Sequence, residues 1–535
     1  MQRAVVLLEA TPKRTKRPVI ADQVGTRPSD KAHWELRSVH GSPRRREPGA
    51  SARVVHGGSQ PLGLRCSSRY ADLTSASDTG IAASTVFSDS AWQARVALTV
   101  NEAVAAGRGR DTNLSRADRV NAWIAAHFGL VAVVMTVWFV LAAWHLIPHG
   151  LVTPNGHLID PSTVDPNGYN VWAYKHLAYS DIYRLYAERG LWSHPIPYVQ
   201  ARIEYPVVTG LFMWAASYAP GANGDFVASA VGLWIAGLGG LYSLRRIVPL
   251  TYWWLAATPL LFIFSLLNWD VLGIGFLALG LWMVQERRWR AAGVALAFGT
   301  CAKLFPIVYL PFLIARLYRD KETTHLRQLL GWFIAVCVVL NVPFAIAGYH
   351  NWTFFLSFNA ARSGVGIIGL VGQNVKAQDT VIGAAVLIAM LVGIRAVWRG
   401  GSVERAAVIT FVVFLLLNKV YSPQYTLWLF VMALVAEWPI WTLILLTVAG
   451  LADYYGTFAT LYLTNASVAP SQASNWWAQE IAPWVSRVRY FLVGASALGA
   501  ATIGPGAGSA PAVPPGPRGA SEKRVLLAAA PESTE

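Results

Sequence analysis

The residues best placed to do chemistry in this chain stand between its hydrophobic runs, beginning with Tyr179-Ser180-Asp181-Ile182-Tyr183-Arg184 and the return Arg202-Ile203-Glu204-Tyr205-Pro206. Asp181 follows Ser180 and is predicted to open a short helix that runs to Arg189 and is ended by Gly190. Backbone N–H groups at a helix N-terminus favour a negative charge there. A carboxylate held in that way can take a proton from an attacking hydroxyl, so Asp181 is the candidate general base. The same position also reads as an N-cap that only starts an amphipathic helix. Tyr183 and Arg184 beside it are candidate substrate contacts. Glu204 can bind a sugar hydroxyl or pair with Arg202. Tyr205, biased to an extended backbone by Pro206, reads as a substrate contact or an interfacial anchor.

Four further groups carry polar atoms. Asn268-Trp269-Asp270 lies between two apolar runs, where a carboxylate is costly and seldom idle; Asp270 reads as a substrate contact or as half of a buried ion pair. Lys303, in Cys301-Ala302-Lys303-Leu304-Phe305-Pro306, divides two half-length apolar segments and suits a lipid phosphate or a snorkelling cation. His350, Arg362, Gln373, Asn374 and Lys376 share one loop, in which Arg362 can clamp a phosphate through two N–H groups. The turn Asn418-Lys419-Val420-Tyr421-Ser422-Pro423-Gln424-Tyr425 offers Lys419 and Gln424 as contacts, with tyrosines that can stack on a sugar face or anchor at an interface.

The elements that must hold these residues are helices in a membrane. The chain has 535 residues, of which 54% are hydrophobic and only 14% charged, with apolar runs recurring from about 122 to 503. That pattern implies an all-α polytopic membrane protein of about 11–13 membrane segments. Residues 1–120 are rich in Arg, Ser, Gly and Pro and read as a disordered basic cytoplasmic tail, or as sequence upstream of the true start. The apolar core from Val5 to Leu8 is too short for a signal peptide. Residues 121–503 form the transmembrane domain, with an outer loop at 148–204, and 504–535 is a second disordered tail. The Arg-rich turns at 245–246, 287–290, 316–327 and 395–405 are expected in the cytoplasm. A full crossing by 205–220 would put Arg245-Arg246 on the wrong side, so this segment is expected to re-enter or to lie at the interface. The net charge of +15 follows from the basic tail and turns, and excludes nothing but a need for a nucleic-acid partner.

Other chemistries leave no trace. There is no Walker loop, no GxGxxG, no HExxH and no CxxC. The three cysteines stand far apart in sequence, with neither a disulfide framework nor zinc spacing. Asp160 and Asp165, five apart in a Pro-rich loop, are weak evidence for a metal, so no cofactor is expected and a divalent metal is left open without support. A sugar donor would have to be lipid-borne, since no nucleotide-handling domain is present.

In their order along 121–500 these motifs resemble the GT-C superfamily of polytopic glycosyltransferases, and within it glycosyltransferase family 87, the polyprenol-phosphate-mannose-dependent mannosyltransferases. Asp181-Ile182-Tyr183-Arg184 is similar to the family's acidic first outer loop, and Tyr205-Pro206 to the following return. The run from Asn268-Trp269-Asp270 to Lys303-Leu304-Phe305-Pro306, and Ser422-Pro423-Gln424-Tyr425 before an aromatic span, complete the likeness. The usual Tyr-Pro-Pro reads Tyr205-Pro206-Val207 here, and a Gln-rich motif near the fourth span is replaced by Asn268-Trp269-Asp270. The resemblance implies an inverting transferase in the cytoplasmic membrane with its active face outside the cell. Its donor would be a polyprenyl-phosphate sugar, mannose before arabinose or glucose, and its acceptor an envelope lipid or glycan. Asp181 would be the base, and Lys303 and Arg362 would hold the leaving phosphate. A flippase or transporter of a lipid-linked sugar, and a non-catalytic envelope scaffold, are the rival classes.

Overall fold

The computed structural model describes residues 116–148, 166–362, 364, 366–463 and 482–503. The tail at 1–115, Asp160 and Asp165 within 149–165, Cys66, and the tail at 504–535 lie outside the described residues. Among the described residues the fold is all-α, with one isolated bridge between Pro197 and Ala201.

The chain begins with α1 (Arg116–Ala126) and α2 (Phe128–Leu146), then the loop helices α3 (Pro166–Lys175), α4 (Asp181–Glu188) and α5 (Val207–Ala216). It continues with α6 (Gly221–Ile247), α7 (Trp253–Ala257), α8 (Leu260–Phe264), α9 (Asp270–Gln285) and α10 (Trp289–Ala302). After a 3-10 turn at Phe305–Tyr309 come α11 (Leu310–Arg319), α12 (Thr323–Trp352), α13 (Phe354–Ala360) and α14 (Val375–Trp398). The last four are α15 (Val403–Leu417), α16 (Tyr425–Val435), α17 (Ile440–Leu463) and α18 (Ala482–Ile503). Among the described residues five helices are long and apolar enough to cross a membrane by length and composition, namely α2, α6, α12, α14 and α17. The shorter apolar helices pack among them.

The bundle has two chemically different ends. At one, Arg245 stacks on Phe128, Arg287 pairs with Glu322 at 2.5 Å, and Arg319 donates to the Val397 carbonyl. The basic turns therefore gather together. At the other end, α4, the start of α5, the end of α10 and the end of α12 meet. Thr209 donates to the Ala302 carbonyl at 2.7 Å, and Asn351 donates to Val199 at 2.8 Å. Gly348 in α12 has no room for a side chain, since a Cβ there would sit 2.1 Å from the Tyr198 carbonyl oxygen.

This arrangement places the segment at 205–220. Helix α5 has ten residues. That is about 15 Å of rise, half of the roughly 30 Å apolar core. Its far end returns to the loop: Trp214 donates to the His194 carbonyl at 3.1 Å, and Ser217 meets the His194 ring at 3.1 Å. So the far end of α5 stays with the loop, and α6, with 27 residues, carries the chain to Arg245 and Arg246 at the basic end. Helices α7 and α8 form one discontinuous passage back, broken at Thr258-Pro259. Proline removes an N–H and clashes with the preceding turn, which explains the break. Close packing of α6 on α9 depends on small residues, because a Cβ at Gly275 would lie 2.6 Å from the Ala236 carbonyl oxygen.

The described part of the loop has an aromatic core of its own. Tyr169, Tyr174, Tyr179, Tyr183, Tyr186 and Tyr198 are all buried. Tyr174 stacks on Tyr179 at 5.5 Å, and Tyr179 meets Phe458 of α17 at 5.4 Å between centroids. These rings tie a polar loop to the apolar bundle by burial rather than by a disulfide.

Candidate functional site

Helix α4 starts as its sequence predicts. Ser180 is the N-cap, accepting from the Ile182 N–H at 3.2 Å, and Gly190 ends the helix in the left-handed region at φ 61°. The start is also bolted to the bundle. The Ser180 hydroxyl donates to the Leu266 carbonyl at 2.7 Å, and the Asp181 N–H donates to the Leu267 carbonyl at 2.7 Å. Those carbonyls lie in the turn between α8 and α9. The chain break before α9 thus supplies the acceptors that fix Asp181.

The carboxylate of Asp181 is oriented by two phenols, one for each oxygen. The Tyr179 hydroxyl donates to Oδ1 and the Tyr205 hydroxyl to Oδ2, both at 2.7 Å. Burial, with the negative charge of Asp181 added, pushes both phenols well above the usual tyrosine range. They therefore act as donors and do not ionise at neutral pH. Asp181 itself is only half-buried. A carboxylate offers about four acceptor positions, so two neutral donors leave room for an incoming hydroxyl.

Beside this carboxylate lies a second ionisable unit. Lys303 Nζ is 2.5 Å from Asp270 Oδ1, and both side chains are almost wholly buried, at 6% and 0% exposure. Asp270 opens α9, after Asn268 accepts its backbone N–H at 2.9 Å. Lys303 closes α10 as its C-cap. Each charge sits at the helix end whose dipole favours it. Lys303 also lies 3.9 Å from the centre of the Tyr205 ring, and Trp269 packs edge-on against that ring at 5.4 Å. Tyr205 therefore links the two units: its hydroxyl holds Asp181 while its face carries Lys303.

Other candidates fall into three groups. Tyr425 senses the charges of Asp270, Arg362 and Asp181, and Arg362 itself lies 5.8 Å over the Phe358 ring. Trp428 stacks on Phe305 and meets Tyr425 at a tilt, with centroids 4.5 and 4.4 Å apart. Tyr183 and Arg184 support α4 from within. Tyr183 donates to Asn223 at 2.8 Å and stacks on Phe226, while Arg184 bonds Glu188 at 2.7 Å and the Tyr179 hydroxyl at 3.1 Å. The remainder stand apart. Glu204 pairs with Arg189, not with Arg202. Arg202 reaches His350 at 3.1 Å, and His350 is exposed. Lys419 is tied to Asp379 at 2.6 Å and to the Ala360 carbonyl, and Gln424 accepts from Ser422. Asn374 caps α14, accepting from the Ala377 N–H at 3.2 Å.

Several contributing residues were not foreseen. Tyr179, Asn268 and Trp269 orient the charges, and their signal was adjacency to an acidic residue. Gln378, fully buried, holds the loop before α14 through Gly364 and Gly372. Asp453 and Arg489 pair at 2.5 Å between α17 and α18, under Tyr421 at 4.3 Å. An ionisable residue in the middle of an apolar run is itself a signal, and Asp453 carried it. Cys301 and Cys337, distant in sequence, have sulfurs 3.8 Å apart. Among the described residues no group of three or more His, Cys, Asp or Glu side chains could hold a metal ion. Compared with family models, characterised proteins and solved structures, the chain gives no match.

Proposed function

We propose that this chain is a membrane glycosyltransferase that moves a sugar, mannose by the resemblance described above, from a polyprenyl-phosphate donor to an envelope lipid or glycan, with inversion. The observation that carries the reading is Asp181: an accessible carboxylate, fixed by main-chain bonds and two tyrosine hydroxyls, at the end of a helical bundle opposite the basic turns. The bias of Arg and Lys towards the cytoplasm supports reading that end as the outer face.

In this reading an acceptor hydroxyl approaches Asp181 and attacks the anomeric carbon from the side opposite the phosphate. The bond from carbon to phosphate oxygen breaks as the new glycosidic bond forms. The hydroxyl proton passes to Asp181, and the electron pair leaves on the polyprenyl phosphate. A fixed cation stabilises that departing charge best. Arg362 suits this role, since no carboxylate pairs with it among the described residues. Lys303 is already neutralised by Asp270, so it serves the phosphate only through exchange of partners.

A transporter would draw on ionisable groups inside the spans, and Asp453–Arg489 is such a pair. It lies near the loop end, however: the neighbouring Tyr454 hydroxyl donates to the Leu177 carbonyl. It therefore marks no path towards the basic end. The test is transfer of radiolabelled mannose from polyprenyl phosphate to a crude envelope-lipid extract by purified protein in lipid. Asp181→Asn is expected to lower transfer by about 10²–10⁴-fold, the range for a general base. Equal transfer by both proteins removes Asp181 from the mechanism. No transfer by either, with sugar-lipid movement across proteoliposomes, favours the transporter.

A further inference from the structure

Cys301 lies in the last turn of α10, two residues before Lys303, and Cys337 lies midway along α12. Their sulfurs are 3.8 Å apart and unlinked. Asn341, one turn beyond Cys337, donates to the Cys301 sulfur at 3.4 Å and to the Cys337 carbonyl at 2.9 Å. The Trp352 indole N–H donates in turn to the Asn341 oxygen at 3.2 Å. The thiols are thus held facing each other by a polar side chain, in helices that otherwise offer few polar groups. A disulfide needs its sulfurs about 2.05 Å apart, so a closure of about 1.8 Å separates the present geometry from a bond. Rotation about the two Cα–Cβ bonds and a small slide of α12 supply that distance. Cys301 is buried, whereas Cys337 is half-buried, so a small lipophilic oxidant meets Cys337 first.

We propose that Cys301 and Cys337 form a redox-active dithiol–disulfide pair that, when oxidised, staples α12 to α10 beside Lys303. The oxidant is a small disulfide. One cysteine thiolate attacks it and forms a mixed disulfide, releasing half of the oxidant as a thiolate. The second cysteine thiolate attacks the mixed disulfide and releases the other half. One S–S bond forms in the protein and one breaks in the oxidant; two cysteine protons are given up and two small thiols are produced. The staple bears on the site because α12 carries Gly348 against Tyr198 and Asn351 on the Val199 carbonyl, only a few residues before Tyr205. Cys301 stands in the last turn of α10, at the end read above as the outer, oxidising side, where such bonds persist.

The test uses full-length protein in lipid nanodiscs, carrying Cys66→Ser so that only the pair reports, and 4,4′-dithiodipyridine as oxidant. The expected result is two released thiopyridones per protein, no retained adduct, and a Cys301–Cys337 linked peptide that disappears on reduction. Cys301→Ser and Cys337→Ser should each release one thiopyridone and retain one adduct. Amide exchange over 341–352 should slow on oxidation. Retained adducts without a linked peptide overturn the proposal, as does release seen only after denaturation. Unchanged exchange in linked protein overturns the staple. None of these readouts depends on sugar transfer, so the outcome is independent of the catalytic reading.

Discussion

Replacing Lys303 by methionine removes the cation that answers the buried charge of Asp270. Both carboxylate oxygens of Asp270 are sealed from solvent and have no hydrogen-bond partner besides the ion pair among the described residues. Methionine keeps the length and apolar stem of lysine, so the perturbation is close to loss of charge alone. Removing one partner of a buried pair costs about 3–5 kcal/mol, because an uncompensated charge is left in a medium that solvates it poorly. That is roughly a 100- to 4,000-fold fall in the ratio of folded to unfolded protein. The double variant Lys303→Met/Asp270→Leu deletes both charges and should recover most of the loss, since a well-packed apolar pair often replaces a buried ion pair at little cost. The assay is reversible unfolding in mixed micelles, with the mole fraction of SDS as denaturant. If Lys303→Met is as stable as the parent, Lys303 is not committed to Asp270 and stands free for a phosphate. If the double variant falls as far as the single one, the loss arises from packing and the electrostatic reasoning is refuted.

The cluster yields two more outcomes. Tyr205→Phe removes one hydrogen bond to the Asp181 carboxylate but keeps the ring under Lys303; a bond to a charged group is worth about 1.5–3 kcal/mol, so transfer should fall by at most about 10- to 150-fold with stability nearly kept. Tyr205→Leu removes the ring as well and should lower both, and equal effects of the two variants in transfer and unfolding assays would deny Tyr205 its double role. High pH should unfold the loop. Tyr169, Tyr179, Tyr198 and Tyr205 are all raised above the ordinary phenol value, chiefly by burial. Below about pH 10 both states keep these protons; above it the unfolded chain loses them first, so stability falls by up to about 1.4 kcal/mol per pH unit for each phenol. Tryptophan fluorescence followed from pH 9 upwards checks this, and a flat response through pH 11 contradicts it.

The helical class and the end of α4 were legible because their signals are local. Hydrophobic runs, the order Ser180-Asp181 and the stop at Gly190 need no knowledge of the rest of the chain. The parity conflict at 205–220 was legible too, since Arg245 and Arg246 admit only one side. Partner choice was not. Glu204 stands two residues from Arg202 yet pairs with Arg189, because the turn from His194 to Ala201 folds the chain back and sets the two side chains of 202 and 204 on different neighbours. Lys303 and Asp270 meet only because α9 and α10 are antiparallel, so the start of one and the end of the other share a level. Cys301 and Cys337 meet because α10 and α12 run side by side in the same direction, with Gly293 against Leu329 two turns earlier. Contacts of this kind depend on helix register, which apolar periodicity in uniformly hydrophobic segments specifies weakly.

The acceptors that hold Ser180 and Asp181 are carbonyl oxygens of Leu266 and Leu267, groups that every amino acid owns. Exchange of either leucine for another apolar residue leaves the acceptor where it was. A change in length does not. One residue inserted within Leu260–Phe264 turns the following carbonyls by about 100° and moves them about 1.5 Å along the helix. The location of the carboxylate is thus written in the spacing of the chain rather than in its lettering: tolerant of substitution, intolerant of insertion or deletion.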